Sequence, residues 1–334
     1  MELDSWGNMP KVSDLIPTGD EEDRLSAYTT VANYVESLAR FFSESFGETP
    51  EQLLKVSTQR AFCRIQGGKC PELPVVGRLL RHSWLSEIQL HVLSQDSPML
   101  HYIGNWAPMY LYYAVYQSGR ALLCAQGTTV SESHASTLRT LGNEVVTRSD
   151  LFPQPLKTFC SFDPKTTGLC YENTPDGCVI ARVEPLSNVT SDDFWSRYAM
   201  LLRTTHNERI ERRVEDWKRK NKRQRIPRTT KDEISSSVLP TTLFHVLYRL
   251  RIRSNYQEVD SFLAAIRYHR DSRSFLAHLQ VITWHCLLVL ELLTAKHLGP
   301  RKYDKMIDGF RRYDVAELSD KLANERYQLI KLVL

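Results

Sequence analysis

The stretch that most constrains this chain is Ile103 to Gly127, IGNWAPMYLYYAVYQSGRALLCAQG. Leu111, Ala114, Val115, Ser118, Ala121, Leu122 and Ala125 recur there at helical spacing. Asn105 is placed to cap the helix, Pro108 falls in its first turn, and Gly127 suits a left-handed cap at its end. The other side carries Tyr110, Tyr113, Tyr116 and Cys124 rather than charges. A helix apolar around most of its circumference belongs in the middle of a fold. The small residues Ala114, Ser118, Ala121 and Ala125 would let a second helix approach closely.

The same periodicity runs through most of the chain. Arg24 to Phe46 reads as a helix with Tyr28, Val31, Tyr34, Val35, Leu38, Phe41 and Phe42 on one side. Thr49 and Pro50 open a second helix, running towards Phe62, and Val75 to Leu93 forms a third. His134 to Val146 is a short amphipathic helix. A long helix runs from Phe194 to about Lys222, and Arg223 to Val238 reads as a polar linker. Further helices are expected over Thr241–Tyr256, Val259–Tyr268, Ser272–His297 and, in the tail, Val315–Leu332. Residues 151–190 differ: five prolines and two glycines punctuate short β-prone pieces such as Cys178–Ala181.

The expected fold is therefore mainly α. It has a helical extension over 1–100, opened by a loosely docked arm, and the first part of a bundle over 101–150. An irregular insertion with a small hairpin occupies 151–190. The basic helix and the rest of the bundle fill 191–334.

Several function classes leave no trace. The opening MELDSWGNMPKVSDLIP is acidic and lacks an apolar run, so no secretory signal is expected. The most apolar stretch, Val281 to Leu293, is short and broken by His285 and Glu291, which argues against a membrane span. Seven irregularly spaced cysteines suit reduced thiols in the cytoplasm. Cys160, Cys170 and Cys178, like Cys63 and Cys70, lack the close pairing of a zinc site, so no metal and no cofactor is expected. Phosphate-binding glycine loops, GxSxG and HExxH are absent.

Three constellations carry possible chemistry. From Arg203 to Arg228 there are eleven Lys/Arg against four Asp/Glu, a local charge of +7 in a chain whose net charge is +4. Glu208, Glu211 and Glu215 can pair with Arg212 and Arg219 at helical spacing. Lys218 to Arg228 holds seven cations and no acid. Clustered cations of this kind neutralise phosphates and release counterions. RNA or DNA contact is therefore expected through Arg212, Arg213, Lys218, Arg219, Lys220, Lys222, Arg223, Arg225 and Arg228, with Trp217 stacking on a base. An acidic protein partner is the other option. Second, Arg251 and Arg253 lie about 200° apart on one helix. One must face inward, and Asp260 or Glu258 can pair with it as a structural ion pair. Third, Arg273 and His278 have spacing and chemistry suited to RNA cleavage: histidine for proton transfer with a 2′-hydroxyl, arginine for the phosphate's developing charge. In one continuous helix the two side chains lie off a common face, so they meet only if the helix begins between them or across a dimer.

The run Tyr112 to Gly127 followed by His134, the Arg-then-Tyr helix end at Arg249 to Tyr256, and the final leucine-rich helix resemble the HEPN superfamily. The order of parts is similar to the enlarged, YaaC-like bacterial members. The resemblance covers about half of the chain. It implies an all-helical bundle that commonly dimerises, and a role in prokaryotic defence or stress, either as a metal-independent endoribonuclease or as a non-catalytic complex subunit. The family's ribonuclease motif is Arg, four to six residues, then His, with Asn, Asp or His directly after the Arg. Arg273 and His278 match its spacing, and Ser274 departs from it. A nucleic-acid-engaging subunit is the leading expectation, with ribonuclease and basic docking scaffold as alternatives.

Overall fold

The structure, a computed structural model, describes residues 21–46, 49–68, 70, 72–95, 104–129, 131–163, 165, 168–174, 194–257, 262, 272–313 and 317–334. The expected N-terminal arm, the β-prone piece at 178–181 and, apart from Phe262, the helix expected over 259–268 lie outside these residues.

Twelve α-helices and one two-stranded sheet lie among the described residues. In chain order the helices are α1 (Glu21–Phe46), α2 (Thr49–Ser57), α3 (Arg60–Cys63), α4 (Leu73–Gln95), α5 (Ala107–Ala125) and α6 (His134–Thr147). After the hairpin β1 (Phe159–Asp163) and β2 (Gly168–Glu172) come α7 (Phe194–Asn221), α8 (Arg228–Ser237), α9 (Leu243–Ile252), α10 (Ser272–Leu298), α11 (Pro300–Tyr313) and α12 (Glu317–Lys331). The fold is mainly α, with a small β insertion.

Helix α5 is the centre. Helices α4 and α10 pack along it, α9 and α6 close its remaining sides, and α1 lies on α10 and α7. Leu111, Ala114, Ala121 and Leu122 are fully buried. The small-residue face works as a close-approach surface: Ser83 Oγ of α4 donates to the Ala114 carbonyl at 2.7 Å. On the α6 side, a Cβ at Gly119 would stand 2.7 Å from Leu141 Cδ1, so only glycine fits unless that leucine moves. Gly127, at φ +84°, ends the helix as expected, and the Thr128 amide donates back to the Leu123 carbonyl at 2.9 Å. Asn105 does not cap. It sits buried in a 3₁₀ turn, Gly104–Trp106, and the α-helix starts at Ala107, one residue later than a cap at Asn105 would require.

Two helices were hidden in the sequence. Residues 228–237, read as linker, form α8, because Ile234 and Val238 with Ile226 cover Ile210 and Val214 of α7 in a small cluster separate from the main core. Pro300, just beyond the helix expected to end at His297, is the first residue of α11, and Gly299 at φ +82° makes the corner between them. The hairpin pairs Phe159 with Glu172 through to Asp163 with Gly168. Cys160 and Thr241 exchange both backbone hydrogen bonds, at 3.0 and 2.7 Å, which stitches the insertion to the entry of α9.

Helix α10 is long and apolar enough to cross a membrane, but 72% of its most apolar window is buried inside the bundle. Glu291, in the middle of it, is ion-paired. Arg326 of α12, fully buried, donates to Glu291 Oε1 from Nε at 3.1 Å and to Glu87 Oε1 of α4 at 2.6 Å. Trp84 Nε1 and Tyr303 Oη donate to the two Glu291 oxygens at 2.9 and 2.8 Å. Burial pushes the Glu87 carboxyl above its ordinary range even though Arg326 acts against it. The network ties α4, α10, α11 and α12 together.

Candidate functional site

The basic run ends α7 and turns into α8. Lys222 closes the helix in the left-handed region, at φ +51°, and the Arg223 amide donates to the Lys218 carbonyl at 3.0 Å. Glycine usually holds that position; a lysine there costs on the order of 1 kcal/mol of backbone strain. Acids neutralise the helical part. Glu208 pairs with Arg212 and with Arg249, Glu215 with Lys218 at 2.7 Å, and Asp216 with Arg219. Arg219 thus takes the acid three residues back rather than the one four back. Lys220, Lys222, Arg223, Arg225 and Arg228 are exposed, and among the described residues no carboxylate pairs with them. Arg213 is likewise exposed. Trp217 is half-buried, beside the cations but not freely presented.

Arg273 and His278 both lie on continuous α10, which begins at Ser272, before either of them. Five helical residues place them about 140° apart. Arg273 is exposed, whereas His278 is half-buried and lines a cleft of about 340 Å³ with Asn33, Glu36, Arg40 and Ser274. Arg273 does not line that cleft. The guanidinium within it belongs to Arg40, which pairs with Glu36 at 2.7 Å. Burial lowers the His278 pKa, Glu36 raises it, and Arg40 lowers it, with the balance downward, so the imidazole is neutral near pH 7.

Arg251 lies against a group of aromatic rings. Its guanidinium carbon lies 5.5, 5.2, 5.8 and 5.8 Å from the ring centres of Tyr112, Tyr113, Tyr248 and Tyr256. No carboxylate among the described residues pairs with it, and Asp260 lies outside them. Ring faces carry partial negative charge, so a cage of tyrosines can hold a guanidinium. Arg253 follows in a π-helical turn, Arg253–Gln257, and lines an apolar pocket with Val31, Tyr34 and Leu250. Next to the cage, Tyr112 Oη and His134 Nδ1 are 2.7 Å apart, and the His134 ring lies 4.6 Å from that of Tyr116. Burial lowers the His134 pKa, and Arg251 and Arg120 lower it further.

The tyrosines of the central helix and His134 were visible in the sequence. Tyr248 was lost in an apolar run, and Arg120 was missed because its partners are far away along the chain. Among the described residues no three His, Cys, Asp or Glu side chains gather as a metal site, and Cys178 lies outside them. His206 is buried with Nδ1 at 2.8 Å from Thr241 Oγ1, its pKa drawn down to about 4 by burial and then by Arg209. No protein-family model, curated protein or solved structure matches this chain.

Proposed function

We propose that this chain is a HEPN-like helical protein that engages RNA or DNA through the basic turn between α7 and α8. On this reading it is a cytoplasmic, non-catalytic subunit of a larger assembly in prokaryotic defence or stress. The observation that carries the reading is the set of five exposed cations at one turn, Lys220 to Arg228, which have no acidic partner among the described residues. Five phosphates neutralised by such a set release enough counterions to give a log–log salt slope of about −3.5 for single strands and about −4.5 for duplex.

The test is titration of labelled single-stranded RNA, single-stranded DNA and duplex DNA between low and physiological salt. Replacing Lys222, Arg223 and Arg225 with serine should reduce the single-strand slope by about 2 and weaken binding regardless of sequence. Binding with no salt dependence, or with the same slope in the triple variant, refutes the reading. Capture of an acidic protein in place of nucleic acid makes the turn a docking site instead.

A second reading, metal-independent endoribonuclease, is favoured by one observation: His278 lines a cleft together with Arg40, where burial lowers its pKa. A neutral imidazole can accept the 2′-hydroxyl proton and a nearby guanidinium can steady the phosphate. EDTA-resistant cleavage of RNA, lost in His278→Ala with the fold retained, would establish it. Comparing Arg40→Ala with Arg273→Ala then shows which arginine serves.

A further inference from the structure

We infer that the apolar pocket between α1, α7, α9 and α10 is a binding site for a small aliphatic carboxylate. The alkyl end lies among the buried side chains and the carboxylate meets Arg249 and Arg253. The inference does not rest on the basic turn or on any contact with nucleic acid.

The inside of the pocket is aliphatic. Val31, Val35 and Leu38 of α1, Val246 and Leu250 of α9 and Ile282 of α10 line it, and all six are buried. The lining residues that solvent reaches are Leu201 of α7, Arg249 and Arg253. The pocket is therefore greasy within and cationic at its mouth. Its open space is about 30 Å³, room for roughly two or three carbon-sized groups. Aliphatic walls offer a water almost nothing to bond with, so alkyl carbons are the better filling.

The mouth carries a positive field. Arg249 and Arg253 are four residues apart, about one helical turn, and both side chains line the pocket. Arg249 is tethered: its Nε meets Glu208 Oε2 at 2.5 Å, and Nη1 donates to Thr204 Oγ1 at 2.8 Å and Thr205 Oγ1 at 3.2 Å. Glu208 also pairs with Arg212, so its one charge is divided between two guanidinium groups. Tyr34 lines the same pocket. Burial pushes its hydroxyl pKa up, and the charged groups acting on it, Arg249, Arg253 and Arg197, are all cations. The hydroxyl therefore stays protonated and can donate beside the arginines. A pocket with this field favours an anionic head group.

The two halves together select the ligand. A bare inorganic anion leaves the aliphatic interior empty. An alkylamine sets a cation beside Arg249 and Arg253, and an alcohol forgoes the charge. A long acyl chain leaves most of its carbons in water. A carboxylate can accept two parallel N–H bonds from a guanidinium. Arg249, already held by Glu208 and the two threonines, loses little further freedom when the acid arrives. Carbons inside, carbons crossing the mouth and the carboxyl carbon together make an acid of roughly four to six carbons.

Ligand-observed NMR titration of the full chain with butyrate, isovalerate, hexanoate, decanoate, isoamyl alcohol and isoamylamine tests this. Expected is saturable binding of isovalerate or hexanoate, at least five-fold tighter than the alcohol, with none of the amine. Each methylene taken from water adds about four-fold in affinity, so binding should tighten from butyrate to hexanoate and level off by decanoate. Val35→Ile adds one methyl to the lining. It should weaken the acid at least five-fold while leaving the thermal midpoint unchanged or higher, which damage to the fold would not do. Arg253→Gln should remove the preference for acid over alcohol and leave the alcohol unchanged. Serine at Lys222, Arg223 and Arg225 should leave acid binding intact, so failure here and failure of the basic turn are told apart. Absence of saturable binding of any of the acids overturns the inference. So does a steady gain through decanoate, the behaviour of an open greasy surface, equal binding of acid and amine, or binding indifferent to both Val35→Ile and Arg253→Gln.

Discussion

Replacing Arg326 with leucine should unfold the far side of the bundle, and by an amount that depends on pH. Arg326 stands between two buried carboxylates and donates to Glu87 at 2.6 Å and to Glu291 at 3.1 Å, with the Trp284 ring 5.0 Å from its guanidinium carbon. Glu87 already holds its proton more tightly than usual, because burial outweighs the pull of Arg326 and Glu291 pushes the same way. Without Arg326, two carboxylates face each other in a dry site, and both must take up protons or remain charged and unpaired. Removing one partner of a buried ion pair costs about 3–5 kcal/mol.

The sign follows from linkage. A carboxyl whose folded pKa is raised stabilises the fold only while it is protonated, so the penalty is full above the raised pKa and fades as pH falls towards the unfolded value. Urea unfolding followed by far-UV circular dichroism, at pH 7.5 and at pH 5, measures it. The variant should lose about 3–5 kcal/mol at the higher pH and clearly less at the lower, with the wild type run at each pH to cancel other titrations. Adding Glu87→Gln and Glu291→Gln to Arg326→Leu should recover much of the loss. A cost below about 1 kcal/mol, the scale of an ordinary hydrogen bond, refutes the reasoning. So does a cost that does not change with pH, or one untouched by neutralising the carboxylates.

The histidines predict acid sensitivity of the wild type. His206 is drawn down to about 4 and His297 to about 4, and His245 lies well below its ordinary value, each chiefly by burial. A depressed histidine pKa favours the fold while the ring is neutral, so that stability is present above pH 6.5 and is lost as pH falls towards 4. His206 alone accounts for something on the order of 3 kcal/mol. Urea midpoints measured across that range should drop, and His206→Gln should flatten the drop. Two glycines should respond with opposite signs in thermal unfolding. Gly119→Ala drives a methyl into Leu141 and should cost about 1–3 kcal/mol despite the better helix propensity. Gly309→Ala, with nothing within 4 Å of the new methyl, should gain up to about 1 kcal/mol.

Local signals decided a great deal here. The 3.6-residue period was enough to place α1, α4, α5, α6, α7 and α10, because each buries a long continuous stripe and the period survives in sequence. Gly127 was legible as a helix end, since a left-handed residue leaves few choices. Helix α8 was not legible: Ile234 is its one large apolar side chain, and only contact with α7, shared with the flanking Ile226 and Val238, makes it a helix. The cations from Lys220 to Arg228 could be counted from sequence. Which of their neighbours acids neutralise was decided by rotamers on the folded helix.

What required the tertiary structure is every relation between residues distant in sequence. Glu291 looked like a charge interrupting an apolar run. It is the centre of a network reaching Trp84, Tyr303 and Arg326, which lie up to 207 residues away. One of Arg251 and Arg253 was expected to face inward onto Asp260 or Glu258, which lie outside the described residues. Only packing brought Tyr112 and Tyr113 from α5 and Tyr248 from α9 around Arg251. The sequence by itself thus determined a helical bundle with a buried central helix and one strongly basic turn, because periodicity and charge density are properties of neighbouring residues. The buried pairing of Arg326 with Glu87 and Glu291, the cage around Arg251 and the meeting of His278 with Arg40 in one cleft depend on how helices cross, and no local pattern encodes that.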